Sequence, residues 1–168
     1  IAPARGVEYL REYLAELGPY AAERKSFLLV EALPPADTNV INTLEEARSL
    51  IRAVNTPGVS GMFDFHNTKA ERLSWAALIE EYFDIIRHVH VNAVDGGVPT
   101  TDNAEFAPAF RTLAAKKYAG WVSLEIFHPI IRQWFERGFG TPTPPQVLGW
   151  PPNASGCASS PRTSWSRP

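Results

Sequence analysis

The stretch Val59-Ser-Gly-Met-Phe-Asp64 is a short apolar run that ends in a carboxylate. Its length and its β-branched and aromatic residues predict a strand. Near-continuous apolar character is typical of a parallel strand covered on both faces. A carboxylate that ends such a strand is costly to bury unless it is paired or ligated. The stretch therefore predicts both a parallel sheet and a polar site at the carboxyl end of the strand.

Three further stretches have the same character: Phe27–Glu31, His88–Val91 and Trp121–Ile126. Helical patterns separate the strands, which gives the order α-β-α-β-α-β-α-β-α. Strict alternation indicates right-handed βαβ units and a parallel sheet, either doubly wound or part of a barrel. No glycine-rich phosphate loop follows any of these strands, which counts against a nucleotide-binding doubly wound sheet.

The helices are predicted from apolar spacing and from end signals. Thr43-Leu-Glu-Glu46 is a capping box that opens one helix, and Ser74 is placed to cap the next. The first helix is expected to end at Gly18, since glycine often follows the last helical turn. Phe106 marks the start of a fourth helix, and a weaker pattern covers residues 129–137.

The composition argues against several kinds of partner. The chain has 168 residues and a formal net charge of −2, which gives no basic face for nucleic acid. No apolar run approaches the roughly 18 residues of a membrane span. Cys157 is the single cysteine, so no internal disulfide can form and a reducing, cytoplasmic location is expected.

Each predicted strand ends, or nearly ends, with a side chain that can bind a metal ion. These residues are 33, 26 and 35 positions apart, each about one βα unit: Glu31, Asp64, His90 and Glu125. Consecutive parallel strands place them at one edge of the sheet, which in a barrel is the catalytic face. Taken singly, each could cap a loop or pack in the core, but the regular spacing favours a metal site. Three carboxylates and one imidazole suit Mn²⁺ or Mg²⁺, with Co²⁺ and Zn²⁺ as alternatives.

Three motifs in combination resemble the xylose isomerase-like TIM barrel superfamily, in its sugar phosphate isomerase/epimerase branch. They are Met62-Phe-Asp-Phe-His-Asn67, His88-Val-His-Val-Asn92 and Trp121-Val-Ser-Leu-Glu125, the last following Tyr118-Ala-Gly120. The resemblance implies an α/β fold, a partial (β/α)8 barrel with about strands five to eight. This C-terminal half of a barrel is expected over residues 1–140, and the non-Met start at Ile1 agrees with a fragment.

The segment 141–168 differs from the rest of the chain. It holds seven of the 15 prolines and no acidic residue, and it lacks apolar periodicity. We expect a disordered tail or foreign sequence.

The resemblance also implies roles for individual residues. The four strand-end residues match the superfamily's four metal ligands, and in the epimerase branch Glu31 and Glu125 also form the acid/base pair. His66 resembles a histidine that contacts a substrate oxygen, although it follows Asp64 by two residues where many members have three. Asp95 lies where members place a polar substrate contact, and a solvated loop aspartate is its alternative interpretation.

The function that the resemblance implies is a metal-dependent isomerase or epimerase of a sugar or sugar phosphate. It would abstract a proton next to a carbonyl and form an enediolate. The alternatives are a dehydratase like inosose dehydratase, an endonuclease IV-like phosphodiesterase and an inactive barrel remnant. The phosphodiesterase is disfavoured by a total of four histidines and by the negative net charge. Half a parallel sheet leaves open edges, so the isolated segment is expected to be inactive and either unstable or a homo-oligomer.

Overall fold

Helices and strands alternate along the chain in the computed structural model, which describes residues 2–100 and 102–126. These residues belong to the first of the chain's two units, 1–132. In chain order the elements are α1 (Pro3–Glu23), β1 (Leu28–Val30), α2 (Leu44–Val54), β2 (Val59–Asp64), a 3-10 helix (His66–Ala70), α3 (Trp75–Tyr82), β3 (Ile86–Val91), α4 (Phe106–Ala115) and β4 (Trp121–Leu124). The helix predicted over 129–137 and the tail predicted over 141–168 lie outside the described residues.

The strands form one sheet in the order β1-β2-β3-β4, and every pairing is parallel. This confirms the α/β fold with a parallel sheet. The register places Asp64 of β2 beside His90 of β3, and His90 beside Ser123 of β4. Since parallel strands present their carboxyl ends at one edge, the residues that end them are brought to the same side of the sheet.

Strand ends differ slightly from the prediction. β1 ends at Val30 and β4 at Leu124, so Glu31 and Glu125 are the first residues beyond their strands. Glu125 continues the pairing nonetheless, because its backbone N–H donates to the Val91 carbonyl at 3.3 Å. Each glutamate thus directly follows its strand and lies at the carboxyl edge of the sheet.

An aromatic cluster supports the turn that follows β2. Phe65 is fully buried, with its ring centroid 5.0 Å from that of Phe63 and 4.7 Å from that of Trp75. Its N–H donates to the His90 carbonyl at 3.2 Å, which ties the turn to β3. The indole of Trp75 donates to the Thr68 hydroxyl at 2.8 Å. The residues beside Asp64 are thus anchored by packing and by backbone pairing.

Both predicted helix caps are present. The Thr43 side chain accepts from the Glu46 N–H, and Glu46 accepts in return from the Thr43 N–H, which completes the capping box. The Ser74 hydroxyl accepts from the Ala77 N–H. Within the described residues, no helix is long and apolar enough to cross a bilayer.

The prediction that α1 ends at Gly18 was wrong, because the helix continues to Glu23. Gly18 is buried where α1 crosses the turn before β2. A Cβ at Gly58 in that turn would lie 1.9 Å from the Gly18 carbonyl oxygen, so this contact needs glycine for its close approach. Arg24 is the C-cap residue of the helix, and Lys25 then adopts a φ of 54°.

Candidate metal centre

The structure brings together the four strand-end residues. One ligand atom from each lies within 4.8 Å of those of the others: Glu31, Asp64, His90 and Glu125. Asp64 is 5% exposed, and the other three side chains are partly buried. The cluster forms because four neighbouring parallel strands deliver one polar residue each to the same edge.

His90 is the centre of the cluster. Its Nδ1 lies 3.0 Å from Glu125 Oε2 and 3.3 Å from Asp64 Oδ2. Behind it the His88 ring packs edge to face, with ring centroids 4.9 Å apart. Burial, and then the neighbouring His90, lowers the pKa of His88, which favours its neutral form. His90 is thus packed by one imidazole and faces two carboxylates.

Two asparagines that were not predicted as site residues hold the carboxylates. Asn92 is fully buried and its Nδ2 lies 3.3 Å from each oxygen of Asp64. The Asn67 N–H donates to Asp64 Oδ1 at 3.0 Å, and the Asn67 Nδ2 donates to Glu31 Oε1 at 2.9 Å. Asn67 ends the motif that begins at Met62, and Asn92 ends the motif that begins at His88. These positions were the one sequence signal that could have identified them as site residues.

The cluster carries more negative charge than its single histidine can balance. Burial raises the pKa of Glu31, and the carboxylates of Asp64 and Glu125 raise it further. Burial also raises the pKa of Glu125, followed by its hydrogen bond with Asp64. Crowded carboxylates resist ionisation in this way unless a cation lies between them.

The residues fit a divalent cation by size and by chemistry. A small divalent ion lies about 2.1 Å from each oxygen ligand, so opposite ligands are about 4.2 Å apart. The observed separations of 4.8 Å or less need only small movements to meet that geometry. Three carboxylates and one imidazole are ligands for Mn²⁺ or Mg²⁺ rather than for thiolate-preferring metals.

The two predicted substrate contacts lie outside this group of four. His66 begins the 3-10 helix after β2, its N–H donates to Asn92 Oδ1 at 2.7 Å, and its Nε2 is 3.5 Å from Lys69 Nζ. Asp95 is exposed in the turn after β3, where its Oδ1 accepts from the Gly97 N–H at 2.9 Å. Contact of either side chain with a substrate stays a prediction.

The raised pKa values predict how stability depends on pH without metal. The unfolded chain ionises Glu31 and Glu125 near their ordinary pKa of 4.5, whereas the folded chain does so at higher pH. Above pH 4.5 the unfolded state therefore binds fewer protons, and the contribution of these groups to stability falls as pH rises through the raised values. Chemical unfolding in EDTA at a series of pH values measures this loss. A double variant, Glu31→Gln with Glu125→Gln, should show a shallower fall, and an equal slope would contradict the charge argument.

Comparison with known proteins gives a consistent result. The chain matches the family described as xylose isomerase-like TIM barrel over residues 2–147. It is 26% identical over 114 residues to an L-ribulose 3-epimerase of Methylomonas sp. (strain DH-1), covering 68% of this chain and 40% of that protein. It is 28% identical over 112 residues to the 3-dehydro-D-guloside 4-epimerase of Escherichia coli K12, covering 67% of this chain and 43% of that protein.

A solved structure shows the same fold. The D-psicose 3-epimerase of Clostridium cellulolyticum H10 with D-tagatose is 23% identical, with a TM-score of 0.70 over 76% of this chain and 44% of that one. The chain thus spans less than half the length of each of these three relatives.

Proposed function

Because the chain belongs to the xylose isomerase-like TIM barrel family, we propose that it is the metal-binding part of a sugar epimerase or isomerase. The observation that carries this proposal is the group of four strand-end residues at one sheet edge, within 4.8 Å of one another. The names of the relatives add the substrate class, since the two described above act as sugar epimerases. The proposed substrate is accordingly a small keto-sugar.

The proposed metal ligands are the four residues of the cluster, and the proposed ion is Mn²⁺ or Mg²⁺. Bound there, a divalent cation supplies positive charge that stabilises the oxyanion formed when a proton leaves the carbon next to a carbonyl. Asp64 and His90 have the firmest support, since they pair in register on neighbouring central strands. Glu31 and Glu125 come from the two outer strands of the described sheet.

Glu31 and Glu125 are proposed to move the proton. General acid/base catalysis works best when the pKa of the group lies near the working pH, and both glutamates have a pKa raised from the ordinary value. One carboxylate takes the proton and the other returns it. Return to the same carbon from the opposite face inverts it, which is epimerisation. Return to the former carbonyl carbon, with the neighbouring hydroxyl proton passing to the former carbonyl oxygen, is isomerisation.

Activity is proposed to need more of the barrel than the described part of this chain. A (β/α)8 barrel closes with eight strands, and the described sheet has four. β1 and β4 each have one unpaired edge within this part of the chain, and unpaired edges favour association. We use "closed barrel" for the chain together with the βα units that complete its sheet. The chain by itself is expected to be inactive and either unstable or a homo-oligomer.

The experiment is an assay of the closed barrel with ketoses in D₂O, with Mn²⁺ and with EDTA. We expect an epimeric or isomeric sugar that carries deuterium at the carbon next to the carbonyl, and loss of both products with EDTA. A dehydrated product would indicate a dehydratase instead. Full activity in EDTA would contradict the metal-dependent proposal.

A further inference from the structure

We propose that Asn67 and Asn92 are positioning residues of the metal centre, which together fix how the carboxylates of Glu31 and Asp64 face the cation. The inference rests on the proposed metal-dependent function and deepens it. Five hydrogen bonds support it, and they connect residues at the carboxyl ends of β1, β2 and β3. We call this group of hydrogen bonds the amide clamp.

Asn92 forms the buried half of the amide clamp. Its Oδ1 accepts from the His66 N–H at 2.7 Å, and its Nδ2 lies 3.3 Å from both oxygens of Asp64. The opposite amide orientation would place Oδ1 against a carboxylate and Nδ2 against an N–H, so the partners determine the orientation. Since Asn92 is fully buried, these partners cannot be replaced by bulk water.

Asn67 forms the other half through two separate groups. Its backbone N–H donates to Asp64 Oδ1 at 3.0 Å, and its side-chain Nδ2 donates to Glu31 Oε1 at 2.9 Å. One residue of the turn after β2 therefore contacts a carboxylate from each of two neighbouring strands. Because Asn67 is only partly buried, its side chain can be changed with little disturbance of the core.

The amide clamp makes the two oxygens of each carboxylate unequal. Asn92 Nδ2 lies 3.3 Å from both oxygens of Asp64, but only Oδ1 also accepts from the Asn67 N–H, whereas Oδ2 lies 3.3 Å from His90 Nδ1. In Glu31, Oε1 is held by Asn67, which leaves Oε2 for a cation. Partners that orient metal ligands in this way typically contribute a factor of about 10–100 in metal affinity.

The clamp also braces the short link between Asp64 and His66. The His66 N–H donates to Asn92 Oδ1, and Asn92 directly follows β3. This hydrogen bond fixes the position of the His66 backbone relative to β3. Asn92 therefore fixes both a proposed ligand and the backbone of a predicted substrate contact.

The experiment measures metal binding to the closed barrel. We expect Asn67→Ala and Asn92→Ala to weaken Mn²⁺ binding by about 10–100-fold in calorimetric titration. The visible absorption of bound Co²⁺ should change as well, because the arrangement of its ligands changes. Circular dichroism checks the fold of each variant. If either fails to fold, Asn67→Ser, too short to reach Glu31, takes its place in the comparison.

Asn42→Ala is the matched control. The Asn42 side chain also makes two hydrogen bonds, to the Leu33 carbonyl at 2.8 Å and to the Thr38 carbonyl at 2.9 Å, and neither partner is a residue of the cluster. This variant should lose stability and keep both its Mn²⁺ affinity and its Co²⁺ spectrum. Equal Mn²⁺ affinity and equal Co²⁺ spectra in Asn67→Ala and the unsubstituted chain would overturn the inference.

A readout without metal separates this inference from the proposed function. In the metal-free chain, Glu31→Gln should shift the NMR resonances of the Asn67 side-chain amide, because its acceptor changes. A chain that binds no Mn²⁺ but shows this shift would defeat the proposed function and leave the hydrogen bond in place. Absence of the shift would overturn the amide clamp even where Mn²⁺ binds normally.

Discussion

Glu125→Gln in the closed barrel is expected to slow exchange of the substrate's α-proton with solvent by about 10²–10⁴-fold, the usual contribution of a general base. Glutamine has nearly the same shape as glutamate, but its amide cannot accept the proton. Exchange is followed by NMR as loss of the proton signal of a ketose in D₂O with saturating Mn²⁺. Saturation matters because Glu125 is also a proposed ligand, and weaker metal binding must not be mistaken for lost proton transfer.

Glu105→Gln is the control for this measurement. Glu105 Oε2 accepts from the Trp75 N–H at 3.1 Å at the start of α3, and Glu105 is not one of the four residues of the cluster. Its substitution removes one carboxylate from the chain without touching the site, so the exchange rate should be retained. Unchanged exchange in Glu125→Gln would exclude Glu125 as the base.

Asp64→Ala is expected to lower the Mn²⁺ affinity of the closed barrel by more than the roughly 10–100-fold that loss of an orienting partner costs. Asp64 is the most buried of the four residues and pairs in register with His90. Its loss removes a proposed ligand and also removes the acceptor of three of the five hydrogen bonds of the amide clamp. Calorimetric titration with Mn²⁺ gives the affinity.

Asp84→Ala provides the comparison for Asp64→Ala. Asp84 is a surface aspartate whose carboxylate lies 3.3 Å from Arg52 Nη2, with half of its side chain exposed. Both variants lose one negative charge, so a shared loss of affinity would indicate only a change of overall charge. We expect the Asp84→Ala chain to bind Mn²⁺ as the unsubstituted chain does.

The sheet could be predicted from sequence because each strand has a local sequence signal. The run that ends at Asp64 is nearly continuously apolar, and the helices beside it have end signals at Thr43 and Ser74 that act within a few residues. Parallel pairing then follows from alternation alone. The meeting of the four polar residues could be anticipated for the same reason, since it depends on strand order and not on any detail of side-chain packing.

Contacts between distant residues could not be predicted in this way. Asn92 reaches Asp64 across 28 positions of sequence, and Asn67 reaches Glu31 across 36. Nothing in the local pattern distinguishes these asparagines from ordinary turn residues. The prediction for Gly18 was wrong for a similar reason. Gly18 lies inside α1, and it packs closely against Gly58 in the turn before β2, which is distant in sequence.

For His66, the sequence motif predicts a role of the side chain, and the structure fixes the position of the backbone. The motif predicts a substrate contact, while the structure gives the position of the backbone, held by Asn92 at 2.7 Å. The shorter spacing from Asp64 therefore does not leave the turn without support. The role of the His66 ring toward a substrate remains a prediction for the closed barrel.

The central claim is that these four residues bind one divalent cation, and titration of the metal-free closed barrel with Mn²⁺ tests it most directly. We predict saturable binding of one Mn²⁺ per chain, reversed by EDTA and absent or greatly weakened in Asp64→Ala. No saturable binding, or binding that Asp64→Ala leaves unchanged, would contradict it.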